Sequence, residues 1–159
     1  MVPYGGFWRR VVAYIIDSIV LNIALGILGA ILGIGMMPMT ALGANPDLIG
    51  GAVVLSSIGL SFLLNWLYFA VLECSSWQAT VGKLVMGLVV TDQGGERIGF
   101  GRATGRYFGK ILSSLILLIG FIMVAFTERK QGLHDLIAGT LVYETRDPRM
   151  VVSEERVFV

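Results

Sequence analysis

The chain has 159 residues, 55% hydrophobic and only 14% charged, with mean hydropathy +0.79. Soluble domains carry about 25% charged residues, so a water-facing globule is excluded for want of surface material, and the apolar excess excludes disorder. A net charge of +1 gives no pull toward nucleic acid, and the single cysteine, Cys74, excludes an intramolecular disulfide and a cysteine zinc cluster.

In chain order, Val11 to Met39 is a stretch of 29 residues with one charge, Asp17, and Leu48 to Leu72 is a stretch of 25 with none. Each exceeds the roughly 20 apolar residues that cross a hydrocarbon core, which predicts spanning helices at about 11–37 and 48–72. The first stretch is far longer than the apolar region of a signal peptide, so it reads as an uncleaved helix. Arg9 and Arg10 precede it, the loop before span two has no Lys or Arg, and Lys83, Arg97, Arg102, Arg106 and Lys110 follow span two. The spans predict a multi-pass membrane protein, and the charge rule for loops gives its orientation. It puts the N-terminus and the 74–110 segment in the cytoplasm.

The Val- and Leu-rich stretch Leu84–Thr91, the turn Asp92-Gln93-Gly94-Gly95-Glu96 and then Arg97-Ile98-Gly99-Phe100 predict a small cytoplasmic β-hairpin. From Gly101 the period changes. Arg102, Arg106 and Lys110 recur every four residues, which predicts an amphipathic basic helix lying at the interface, its side chains snorkelling to headgroups. A third apolar segment, 111–127, is 17 residues long, at the bottom of the spanning range. It either crosses, which is preferred, or re-enters as two half-helices broken near Leu118-Ile119-Gly120. The basic residues after it favour re-entry, and the acids that balance them permit a crossing. The expected class is an all-α membrane protein with three hydrophobic helical segments in one domain, 1–144. A short polar tail, 145–159, follows.

Asp17 is the most informative residue, because a carboxylate inside the bilayer must be paired or neutral. Arg10 lies seven residues earlier, near the same helix face, and is the expected partner. Asn65 lies as deep from the inner end of span two as Asp17 does from that of span one, which predicts a contact between them. Ser113 and Ser114 extend the same polar cluster. His134-Asp135 lacks further ligands for a metal site, and Asp135 reads as a solvated, cytoplasmic-side structural residue, followed by a strand, Gly139-Thr140-Leu141-Val142-Tyr143, expected to pair with the hairpin. Neither a nucleophile–base pair nor a phosphate or dinucleotide loop is visible, so no enzyme activity and no cofactor are expected.

Three blocks carry a family resemblance: GFWRRVVAYIID (6–17), TVGKLVMGLVVTDQGG (80–95) and RKQGLHDLIAGTLV (129–142). In this order they resemble the RDD family of membrane proteins over about residues 4–144. The resemblance places the family's arginine on Arg10 and its two aspartates on Asp17 and Asp135. It implies a small prokaryotic-type protein of the cell inner membrane, with sodium/proton antiport in some members and accessory roles in others.

Two functions are therefore expected in competition. One is a secondary transporter exchanging a monovalent cation for protons, with Asp17, Asn65 and Arg10 as the ion- and proton-binding residues; it requires a homo-oligomer, because three short spans enclose no pathway. The other is a scaffold or accessory subunit of the lipid bilayer, docking a cytoplasmic or membrane protein partner.

Overall fold

The computed structural model describes residues 2–41, 43, 45–115 and 119–155. Helix α1 covers Phe7–Ala41 and α2 covers Pro46–Glu73. Their apolar parts, Phe7–Gly33 and Asp47–Glu73, are each 27 residues long, enough to cross a membrane. The start of α2 is fixed by Asn45, whose side chain accepts the Asp47 amide at 2.9 Å, with Pro46 at the first helical position.

The chain divides into two compact units, Ser18–Asn65 and Met1–Asp17 with Trp66–Val159. In the first, Ile19, Ile23, Ile27 and Ile31 of α1 form an exposed series, the surface expected toward lipid. Four of its polar side chains bond to their own helices. Asn22 donates to the Ser18 carbonyl at 2.7 Å, Ser56 to Val53 at 3.0 Å, Ser57 to Val54 at 2.8 Å and Asn65 to Ser61 at 3.1 Å. With no water to bond, such closure keeps a polar side chain tolerable in hydrocarbon.

The second unit holds everything else. After α2 come the short helix α3 (Val81–Val85), strand β1 (Leu88–Asp92), helices α4 (Phe100–Leu115), α5 (Ile119–Phe126) and α6 (Leu133–Ala138), strand β2 (Thr140–Glu144) and helix α7 (Pro148–Glu155). Gly139, left-handed at φ 60°, ends α6 and turns the chain directly into β2.

β1 pairs antiparallel with β2, Leu88 opposite Glu144 and Asp92 opposite Thr140. The expected small antiparallel sheet is present, but its second strand is not 97–100. Asp92 closes the turn by accepting the Gly94 and Glu96 amides, both at 2.9 Å, and Phe100 already begins α4. A strand buried on both faces needs a β-branched and aromatic partner; Thr140-Leu141-Val142-Tyr143 supplies one, whereas Arg97-Ile98-Gly99 offers a single such residue.

One face of the sheet packs Leu88, Val90 and Val142 against Ala13, Ala70, Ile98 and Ala103. The other packs Leu141 and Tyr143 against Val151 of α7, with Val2 and Tyr4 alongside, so part of the expected polar tail is helical and contributes to the core. Both sheet edges are covered. Gly5 donates to Val142 and Glu144 to Pro3 on one side, each at 2.8 Å, and Val90 donates to Gln78 at 2.7 Å on the other.

The third apolar segment is not a straight helix. Phe100–Leu115 and Gly120–Phe126 meet at 96°. Both a broken crossing and a re-entrant loop have this form; of the expected break, Leu118 lies outside the described residues. The basic helix and the start of the third segment are one continuous element, α4.

Candidate functional site

Two buried polar centres lie in the second unit, and they use the three family-motif residues in a way the spacing did not foretell. The first is built on Asp17, which is 1% exposed. Its Oδ1 accepts the Tyr68 hydroxyl and the Gly82 amide, both at 2.7 Å, and its Oδ2 accepts the Thr80 hydroxyl at 2.5 Å. Thr80 stands at the N-cap of α3, so the carboxylate faces the unbonded amides of that helix's first turn. Gly82 is required by space: a Cβ there would overlap the Ala13 carbonyl oxygen and stand 2.9 Å from Asp17 Cγ. The Thr-x-Gly part of the 80–95 block is thus the receptor for the aspartate of the 6–17 block.

Arg10 is not the partner of Asp17. Its Nη1 binds Asp135 Oδ2 at 2.5 Å, its Nη2 the Lys130 carbonyl at 2.6 Å and its Nε the Gly5 carbonyl at 3.0 Å. Helical side chains lean toward the N-terminus, and that lean carries Arg10 away from Asp17 as much as it carries Asp17 back. Nor does Asn65 serve as expected, since its amide goes to Ser61 on its own helix. Ser113 and Ser114 likewise bond to the Gly109 and Ile111 carbonyls of α4 at 2.8 and 2.6 Å.

The second centre is an ion cluster. Glu73, at the end of α2 and 1% exposed, faces Lys83 of α3 at 2.5 Å and Lys110 of α4 at 3.3 Å. Arg106, one turn before Lys110, bridges two acids: its Nε lies 3.5 Å from Glu73 and its Nη2 2.8 Å from Asp135. Asp135 is wholly buried on α6, not solvated in a loop, and accepts the Gly132 amide that opens that helix at 3.1 Å. The expected interfacial stripe is therefore split. Arg102 alone points outward, 55% exposed and 3.0 Å from Asp92, while Arg106 is 2% and Lys110 17% exposed. Two carboxylates from distant parts of the chain turn the basic face inward.

Burial opposes ionisation of Asp135, but Arg106 and Arg10 outweigh it and hold the carboxyl well below the usual carboxylate range. Burial, with Arg106 and Lys110 adding their repulsion, pulls Lys83 down to about 7 against the attraction of Glu73. Burial also pulls His134 down to about 3, so its ring is neutral at physiological pH, 5.2 Å from Phe121. Sequence reasoning missed Glu73, Tyr68, Thr80, Gly82 and Lys83. The signal for three of them was the Thr-x-Gly-Lys spacing; Glu73 closes an uncharged span, and Tyr68 carried no signal of its own.

The Asp17 geometry makes a graded prediction. Asp17→Asn keeps one oxygen for Tyr68 and Gly82 and turns the Thr80 hydroxyl into an acceptor, costing about 1.5–3 kcal/mol for the lost charge-assisted bonds. Asp17→Leu strands three buried donors and costs more than the amide variant, read as a larger fall in the thermal midpoint in detergent. A pH prediction follows from His134. Its folded pKa, about 3, lies below its unfolded value of 6.5, so its stabilisation is present above pH 6.5 and is lost as pH falls toward 3. Between pH 7 and 5 the wild type loses about 2 kcal/mol from this group. Chemical denaturation of His134→Asn at the two pH values is expected to show that loss reduced.

Comparison with known proteins places this arrangement. Residues 4–139 match the RDD family. The chain is 39% identical to the uncharacterized protein YxaI of Bacillus subtilis, over 87% of this chain and 95% of that protein. It is 31% identical to the uncharacterized membrane protein YteJ of the same organism, over 87% and 80%. With the proline-rich antigen of Mycobacterium leprae it shares 27% identity over 85% of this chain and 59% of that protein. No solved structure matches. With the blocks of the resemblance joined in one folded core and the family matched along most of its length, this chain is a membrane protein of the RDD family.

Proposed function

We propose that this protein is a non-enzymatic docking or accessory subunit of the cell inner membrane, presenting a folded cytoplasmic module to a partner. The observation that carries this reading is the saturation of Asp17. Both oxygens are taken by Tyr68, Thr80 and Gly82, so an exchanging ion would have to displace one of these donors. Arg10 and Asp135 are likewise consumed in a mutual ion pair. The module offers a partner, cytoplasmic or membrane-bound, an open cleft lined by Arg9, Met86, Gly87, Glu144 and Arg146.

One observation favours the exchange reading as a second. The Asp17 carboxylate and the Tyr68 and Thr80 hydroxyls gather hard oxygens of the kind a monovalent cation takes. That reading requires a homo-oligomer, because few spans enclose no pathway. Proteoliposomes measured for sodium- or potassium-driven proton movement separate the two. The docking reading expects no flux above protein-free vesicles; flux abolished by Asp17→Asn overturns it and establishes exchange.

The cytoplasmic placement of the module rests on positive charge on both sides of the Asp92–Glu96 turn and its absence before α2. Single cysteines at Asp47 and Gln93, both exposed positions, in a Cys74→Ser background test it. An impermeant maleimide added to intact cells is expected to label position 47 and spare position 93. Labelling of both from outside refutes the placement.

A further inference from the structure

The ion cluster has more bases than acids. Arg10, Arg106, Lys110 and Lys83, the last drawn down to about 7, face Glu73 and Asp135 among the described residues, and the neutral His134 adds nothing to either side, so the surplus is one to two positive charges. Each of the four carboxylate oxygens has a cation within ion-pair distance, although Asp135 Oδ1 accepts no hydrogen bond. Glu73 Oε1 faces Lys83 and Lys110 and its Oε2 faces Arg106, while Asp135 Oδ1 faces Arg106 and its Oδ2 faces Arg10 and Gly132. Arg106 still has donors to give. Its Nη1 and Nε have no hydrogen-bond partner among the described residues, although the side chain is only 2% exposed. Buried donors without acceptors and buried charge without counter-charge are both strongly unfavourable, and one bound anion relieves both.

We propose that the Arg106–Lys110 edge of this cluster binds a phosphate-type oxyanion. Guanidinium forks match the oxygens of phosphate, and an ammonium adds a point charge beside them. Arg106 and Lys110 lie one turn apart on α4 and share Glu73, which keeps them adjacent. Lys110 is the most exposed of the six side chains in the cluster and marks the approach. The cluster also gathers at the start of α1 and the end of α2, the level at which a bilayer presents its headgroups. The oxyanion therefore comes from a phospholipid headgroup or from solution. The proposal is independent of the docking and exchange readings, since it concerns what neutralises the cluster rather than what the protein moves or binds in the cytoplasm.

The test is thermal unfolding of the full chain in two arms. In detergent, sodium phosphate is titrated against sodium chloride at equal ionic strength. In nanodiscs, phosphatidylcholine alone is compared with phosphatidylcholine containing phosphatidic acid. A saturable rise in midpoint with inorganic phosphate identifies a free anion, and a rise confined to phosphatidic acid identifies a headgroup; either supports the site. Lys110→Gln is expected to weaken the apparent affinity about tenfold, the loss of one charge-assisted bond, and the exposed Arg102→Gln to leave it unchanged. No rise beyond the chloride and phosphatidylcholine controls in either arm overturns the proposal. So does an equal response in wild type and Lys110→Gln, or an equal loss in Arg102→Gln.

Discussion

Arg106 is a permanently charged group taken almost completely out of water, and the rest of the second unit is arranged around that cost. Its guanidinium reaches Glu73 at the end of α2 and Asp135 on α6, and Asp135 in turn holds Arg10 at the head of α1. Lys83 and Lys110 complete the shell on Glu73. Removing one partner from a buried ion pair typically costs about 3–5 kcal/mol, because the other charge is left uncompensated. The ends of two spans, two short helices and α4 are therefore tied by charge as well as by packing. The small two-stranded sheet, with apolar residues on both faces, provides the complementary apolar anchor.

Asp17 does a different job with the same means. It is the one charge in a long apolar stretch, and it is made tolerable by donors from a later part of the chain rather than by a cation. In return it fixes the start of α3, a helix of five residues, far too short to persist alone. Setting α3 sets Lys83, which reaches Glu73, so the two polar centres are coupled through one turn of helix. The close approach at Gly82 is the steric condition for this coupling. A motif that reads in sequence as part of a hairpin is, in the fold, the joint between an aspartate clasp and an ion cluster.

What the sequence by itself determined was the membrane class, the two long spans, the short third segment and the presence of strands near 88–92 and 140–144. Each of these depends on local composition or period, and local signals survive folding. The resemblance of three blocks to the RDD family was also legible, and it pointed to Arg10, Asp17 and Asp135. What only the tertiary structure decided was who partners whom. Arg10 and Asp17, seven residues apart, looked like a pair, but side-chain direction and a carboxylate 125 residues away took Arg10 elsewhere. The basic stripe of α4 looked interfacial until Glu73 and Asp135 drew Arg106 and Lys110 inward, and β1 took a strand from beyond α6 instead of its neighbour in sequence. Charges and strand edges are satisfied by whatever the fold brings within reach, and that reach is set by long-range packing, which no window of sequence contains.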